Sequence, residues 1–190
     1  MTAPLRLEFV TSADDVRKLP PTPREIAIIG RSNVGKSSLL NALANQKNLA
    51  RVSKTPGRTQ LLNCFALEGG GTVVDLPGYG YAKTSATNRA AWERRMKRYL
   101  LERDGLERIL ALVDGEVGPT RLDIEMLAWL RGHGLPITIV ATKHDKVKSS
   151  QRERRKRDLA EGCGVARGDV LWVSAVKGVG IDQLRELIRG

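Results

Sequence analysis

The octet Gly30-Arg31-Ser32-Asn33-Val34-Gly35-Lys36-Ser37 constrains this chain more than any other stretch. In the spacing G-x-x-x-x-G-K-S, glycines let the backbone curl so that successive N–H groups face one anion-sized concavity at the start of a helix. A plain glycine-rich turn explains the curl but not the Lys36–Ser37 pair. An ammonium at that place suits the β- and γ-phosphates of a nucleotide, and the neighbouring hydroxyl suits Mg²⁺. The flanks have the required form. Glu25–Ile29 is an apolar strand leading in, and Ser37–Ala44 is a helix leading out, with Leu39, Leu40 and Leu43 on one side.

The rest of the chain alternates strands with helices. Leu61–Leu67 and Thr72–Asp75 read as strands of a hairpin around Gly69, Gly70 and Gly71, and Ile109–Val113, Ile137–Ala141 and Val170–Val173 as further strands. Asn88–Arg103, Thr120–Arg131, Ser149–Glu161 and Ile181–Ile188 read as helices, the third with almost no apolar face. Leu5–Val10 alternates like a short strand before Pro20, Pro21 and Pro23, and Gln46–Gln60 is a polar loop without apolar periodicity. The expected fold class is α/β: a P-loop NTPase three-layer sandwich with a mostly parallel sheet, one antiparallel hairpin strand and helices on both faces. At 190 residues the chain is expected to be one domain over 1–190 whose core needs no disulfide. Cys64 and Cys163 lack CxxC spacing and read as ordinary thiols of a reducing cytoplasm. The longest apolar runs, such as Leu135–Ala141, are strand-length, and Arg6 and Glu8 interrupt the N-terminal one, so neither a membrane span nor a signal peptide is expected.

Charge is concentrated. Of a net +11, ten charges fall in two segments. Arg89–Arg103 has six bases against two acids, and Lys146–Arg157 has seven against one. Either these are solvated helix faces, or they form a surface for a polyanion such as RNA, bound through phosphate neutralisation and counterion release. The candidate RNA-binding residues are Arg94, Arg95, Lys97, Arg98, Arg152, Arg154, Arg155, Lys156 and Arg157. An aromatic content of 4% argues for backbone or shape recognition over base stacking.

Three further motifs follow the octet in order. Asp75-Leu76-Pro77-Gly78 closes an apolar strand, where the aspartate would hold Mg²⁺ through water and the Gly78 N–H would meet a γ-phosphate. Thr142-Lys143-His144-Asp145 follows a strand where a base-reading loop belongs; a carboxylate there accepts from guanine N1–H and N2–H₂, a donor pair adenine lacks. Val173-Ser174-Ala175 supplies N–H groups suited to the guanine O6. His144 could act as a metal ligand only with His133, and reads as unremarkable.

In this order the pieces are those of a translation-factor-type GTPase, and more narrowly the chain resembles the EngB family of ribosome-biogenesis GTPases. The resemblance rests on Gly30–Leu43 (GRSNVGKSSLLNAL), Ser53–Gln60 (SKTPGRTQ), Asp75–Ala82 (DLPGYGYA), Thr142–Asp145 (TKHD) and Val173–Ala175 (VSA), and covers essentially the whole chain. It implies one G domain with an N-terminal extension over 1–23, switch I over 46–60 and switch II over 76–88. It adds Gly57, Arg58, Thr59, Gln60 and Leu61 to the nucleotide site. Thr59 would complete the Mg²⁺ shell, although the residues alone do not choose between Thr55 and Thr59. Lys36 and Asn33 are the candidate catalytic residues. Asn33 either helps bind a K⁺ ion bridging the phosphates or only hydrogen-bonds the loop backbone. Tyr79 stands where many GTPases keep a water-orienting glutamine, which implies slow intrinsic hydrolysis completed by K⁺ or a docked partner. The implied function is a monomeric cytoplasmic GTP/GDP switch, with Mg²⁺, acting on the large ribosomal subunit or its rRNA and needed for normal cell division and septation. The rivals are a nonenzymatic rRNA-binding scaffold with a structural nucleotide site and an ATP-dependent kinase sharing the phosphate loop.

Overall fold

A seven-stranded sheet orders its strands β1-β3-β4-β2-β5-β6-β7 in a computed structural model that describes residues 2–50, 61–80 and 86–190. The strands are β1 (Leu7–Ala13), β2 (Glu25–Gly30), β3 (Leu62–Leu67), β4 (Thr72–Asp75), β5 (Leu106–Asp114), β6 (Ile137–Thr142) and β7 (Val170–Trp172). The helices are α1 (Lys36–Ala44), α2 (Ala86–Glu102), α3 (Arg121–Gly132), α4 (Arg152–Cys163) and α5 (Ile181–Arg189). β2 pairs in parallel with β4 and β5, and β5, β6 and β7 continue in parallel. β3 runs antiparallel to both β1 and β4, so it alone opposes the other six strands. This is the expected mostly parallel sheet with one reversed hairpin strand.

Alternation along the central strands sorts the core into two layers. Ala27 and Ile29 of β2, with Ile109, Ala111 and Val113 of β5, face α2, α3 and α4 through Met96, Tyr99, Leu100, Leu127, Leu130, Leu159 and Cys163. Ile26, Ile28, Leu110 and Leu112 face α1 and α5 through Leu39, Leu40, Leu43, Leu184 and Ile188. Strands apolar on both faces are those a doubly covered parallel sheet requires. The sheet winds outward from β2 in both directions, which places a crevice at the C-terminal ends of β2, β4 and β5.

Two expectations shift. The first strand runs over Leu7–Ala13 and not Leu5–Val10, because Leu5 leaves the sheet and donates its N–H to Leu43 O of α1 at 2.9 Å. That strand lies within the expected 1–23 extension and forms one edge of the sheet. The polar segment 149–161 divides into a 3-10 turn (Ser149–Gln151) and α4, which does own an apolar contact through Leu159, Ala160 and Cys163. Cys64 and Cys163 are buried free thiols pushed up to about 11, chiefly by burial. Among the described residues no helix is long and apolar enough to cross a membrane.

Candidate functional site

The octet forms the crossover from β2 to α1. Gly30 lies so close to its surroundings that a Cβ would sit 2.8 Å from Val34 Cγ1 and 3.0 Å from Leu112 O. Gly35 takes φ 107° and Asn33 φ 65°, the left-handed conformations that curl the loop; glycine tolerates them freely and asparagine better than most residues. α1 then starts at Lys36 with no side chain capping it. The Asn33 side chain makes no hydrogen bond among the described residues. Its backbone conformation gives asparagine a separate reason to be there. Val34 is buried in the α1–α5 layer and offers the site only its backbone.

Asp75 ends β4 opposite Ile28 of β2. Its carboxyl is buried, Oδ1 has no hydrogen-bond partner among the described residues, and Lys36 Nζ stands 4.0 Å away. Burial pushes this carboxyl up to about 6, against a downward pull from Lys36. An unsatisfied anionic oxygen there is an acceptor held for a cation or a water. Next in sequence, Leu76 is fully buried and donates its N–H to Ile28 O, so its side chain serves the core and only its backbone borders the crevice. Gly78 presses on the loop: a Cβ there would meet Ser32 N at 2.9 Å. Ser32 donates its N–H to Tyr79 O at 2.8 Å, and Arg31 forms a β-bridge with Tyr79, its Nε buried without a hydrogen-bond partner among the described residues.

The third wall comes from β6 and β7. Thr142 ends β6 and its hydroxyl donates to Val34 O at 2.7 Å, which ties this loop to the phosphate-binding curl. Lys143 sits at φ 55° and its Nζ reaches Asp114 Oδ2 at 2.6 Å. Asp145 Oδ1 accepts the Ser174 hydroxyl at 2.6 Å, a bond that holds its carboxyl below the usual range. His144 donates its N–H to Val173 O at 3.1 Å, and its ring packs edge-on against Trp172 at 5.6 Å. Burial, then Arg152 and Lys156, lower its imidazole. Val173 is core; Ala175 follows Ser174, and its N–H donates to no group among the described residues.

The structure therefore brings together Gly30–Ser37, Asp75–Gly78, Thr142–Asp145 and Val173–Ala175 at one end of the sheet. Gly57, Arg58, Thr59 and Gln60, with Thr55, lie outside the described residues, and Leu61 stands exposed just before β3. Among the described residues no three or more His, Cys, Asp or Glu side chains cluster as a metal site would require. Two carboxylates were missed from sequence. Asp114 fixes Lys143 while its Oδ1 accepts Glu116 N–H at 3.0 Å, and its signal was a lone acid closing an apolar strand, as at Asp75. Asp123 accepts the Tyr79 phenol at 2.7 Å, and its signal was the capping pattern Thr120-x-x-Asp123.

The basic helices α2 and α4 cover the same face of the sheet with α3, onto which Lys97 reaches to stand 5.4 Å from the Trp129 ring. Their bases are less open than those of a fully solvated helix face. Arg94 is exposed and Arg95 half-buried. Lys97 pairs with Glu93, and Arg98 pairs with Glu102 at 2.8 Å and Asp15 at 3.4 Å, because carboxylates stand one turn away or on the adjoining N-terminal segment. On α4, Arg154 and Arg157 share Asp158, Lys156 pairs with Glu153, and Arg152 and Arg155 reach the carbonyls of Val147 and Val117. Such exposed pairs are weak and leave the surplus charge in place.

A family model described as "50S ribosome-binding GTPase" matches residues 25–143. The chain is 44% identical over 183 residues to "Probable GTP-binding protein EngB" of Pelotomaculum thermopropionicum, covering 95% of this chain and 92% of that one. It is 45% identical over 181 residues to the protein of that name from Edwardsiella ictaluri, covering 94% and 83%. Among solved structures, "a probable GTP-binding protein engB" superposes with a TM-score of 0.71 at 25% identity over 87% of this chain and 98% of that chain. Aquifex aeolicus Era bound to GDP and AlF₄⁻ gives 0.68 at 26% identity over 86% and 55%. By motif order, site geometry and this similarity along nearly its whole length, the chain belongs to the EngB family of GTP-binding proteins, within the GTPases.

Proposed function

We propose that the crevice holds GTP or GDP with Mg²⁺, and that the chain, one G domain over 1–190, is a slow GTPase switch in large-subunit ribosome assembly. The observation that carries the nucleotide assignment is the Thr142 hydroxyl bond to Val34 O at 2.7 Å, because it holds a phosphate cradle and a base loop at one fixed spacing. In this reading Gly30–Ser37 wrap the phosphates through backbone N–H groups, and Lys36 neutralises the β- and γ-phosphates. Asp145, oriented by Ser174, accepts from the guanine donor pair, and the Ala175 N–H meets O6. Under adenine that acceptor stays unpaired, which supports rejection of ATP by about 10⁴-fold.

The residues present fit Mg²⁺. Asp75 Oδ1 is a buried anionic acceptor without a partner among the described residues, and Ser37 lies in the first turn of the adjoining helix. Ser37, Asp75 through water and Thr59 would hold the ion, which takes most of its other oxygens from phosphates and water. When bound, it neutralises charge developing on the phosphate oxygens. Tyr79 commits its phenol to Asp123, which leaves no side chain at that position to orient the attacking water and supports slow hydrolysis. Charge compensation then falls to a K⁺ ion beside Asn33 or to a docked partner.

The ribosomal half rests on the matched family's description and on the basic face of α2 and α4. Arg94, Arg95, Lys97, Arg98, Arg152, Arg154, Arg155, Lys156 and Arg157 would contact rRNA phosphates. GTP and Mg²⁺ would hold segments 46–60 and 78–88 through γ-phosphate contacts, and hydrolysis would release them. The protein works as a cytoplasmic monomer, and cell division and septation depend on it through ribosome supply. Cosedimentation with large-subunit particles in GDP or a nonhydrolysable GTP analogue tests this. Association is expected in one nucleotide state only, weakened by Arg154→Ala with Arg155→Ala together with a flatter salt dependence. Equal pelleting in both states, unchanged by Lys36→Ala, would make the protein an RNA-binding scaffold instead.

A further inference from the structure

The residue after the Asp75–Gly78 turn makes contacts that nucleotide binding leaves unused. Tyr79 is 8% exposed. Its phenol donates to Asp123 Oδ1 at 2.7 Å, and its ring tilts against Trp92 at 6.4 Å. Asp123 lies in the first turn of α3, where its Oδ2 accepts the Thr120 N–H at 2.8 Å and the Thr120 hydroxyl at 2.6 Å. Through the backbone, Tyr79 O accepts Ser32 N–H at 2.8 Å while Tyr79 N–H donates to Gly30 O at 3.3 Å. Gly80 follows at φ 76°, so close that a Cβ would stand 2.9 Å from Leu122 Cδ1 and 3.2 Å from Arg31 Cγ. One residue thus joins the phosphate loop, the turn and the N-terminus of α3.

We propose that the Tyr79–Asp123 hydrogen bond is a latch that carries the position of the Asp75–Gly78 turn to the start of α3, which makes Asp123 a positioning residue for nucleotide-dependent movement. The proposal rests on the reading of the crevice as a guanine-nucleotide site. Gly78 N–H donates to no group among the described residues, so it is available to a third phosphate. Turning that peptide rotates the backbone entering Tyr79, which is held by two backbone bonds and one side-chain bond. The turn therefore cannot move without straining or breaking the bond to Asp123. Asp123 is anchored in turn by its capping box with Thr120. Leu122, beside it and 43% exposed, would feel the same displacement at the protein surface.

A bond that differs between two nucleotide states contributes to their relative affinity, and a bond made equally in both does not. The test is equilibrium binding of GDP and of a nonhydrolysable GTP analogue to the full chain, as wild type, Tyr79→Phe, Asp123→Ala and the double variant. Each single change is expected to shift the ratio of the two dissociation constants about three- to tenfold, in the same direction. The double variant should move it no further than the larger single effect. Should Asp123→Ala fail to fold, Tyr79→Phe alone carries the test, since it deletes only the hydroxyl and keeps the ring on Trp92. A lower melting temperature with an unchanged ratio would overturn the latch and leave Tyr79 a packing residue. Additive shifts would overturn it too. Wild-type protein that bound neither nucleotide would defeat the site reading, a result distinguishable from either.

Discussion

Two buried carboxylates at opposite ends of the sheet are treated in opposite ways. At the N-terminal end of β2, Glu25 is fully buried and fully answered. It accepts the Thr72 hydroxyl at 2.6 Å, the Tyr99 phenol at 2.6 Å, and Arg103 through both oxygens at 2.8 and 2.9 Å. Arg103 also donates to Pro20 O, which fastens the N-terminal segment to the end of α2. At the C-terminal end of β4, Asp75 has an oxygen with no hydrogen-bond partner among the described residues and an ammonium only at 4.0 Å. A satisfied buried charge fixes structure, whereas an unsatisfied one is an acceptor reserved for something that arrives. The site end also holds the left-handed Asn33, Gly35 and Lys143, the strained backbone that functional loops accumulate.

Removing one negative charge from each end is the sharpest way to break this contrast. Glu25→Gln should destabilise the protein by about 3 kcal/mol, because half-buried Arg103 is left without its counter-charge; that is roughly 6–12 °C in melting temperature for a chain of this size. Asp75→Asn should change nucleotide-free stability by less than about 1 kcal/mol, since no hydrogen bond to Oδ1 is lost, while Mg²⁺-dependent tightening of GTP disappears. Equal losses of stability would erase the distinction between the two carboxylates.

A smaller effect separates conformation from chemistry at Asn33. Replacement by glycine keeps the left-handed backbone accessible and should cost little stability, whereas alanine should cost about 1 kcal/mol. If Asn33 also serves a K⁺ ion, both variants should lose the excess of GTP turnover in KCl over NaCl at equal ionic strength. Turnover indistinguishable in the two salts for wild type would leave Asn33 a conformational choice alone.

Local pattern carried much of this molecule. The phosphate loop, the bounds of β4 and the inward face of α5 follow from spacing, because glycine geometry and apolar periodicity act over a few residues. What was not legible depends on long-range partners. Nothing near Glu25 announces Tyr99 or Arg103, 74 and 78 residues away. Likewise, Tyr79 and Asp123 each look ordinary until the fold sets them 2.7 Å apart. The open basic face expected of α2 was reduced by Asp15, which reaches Arg98 from a segment separate in sequence. Leu76, Val34 and Val173 belong to motifs that mark the site, yet their side chains fill the core; a motif records which backbone must be where, not which side chains touch a ligand.

Asp145, held in place by Ser174, would be the group that reads the guanine. Equilibrium binding of guanine and xanthine nucleotides to wild type and Asp145→Asn tests that most directly. The expected result is a loss of GDP affinity of at least about a hundredfold, with a matching gain for xanthosine diphosphate, whose 2-oxo group suits an amide donor. Undiminished preference for GDP in the variant would contradict it.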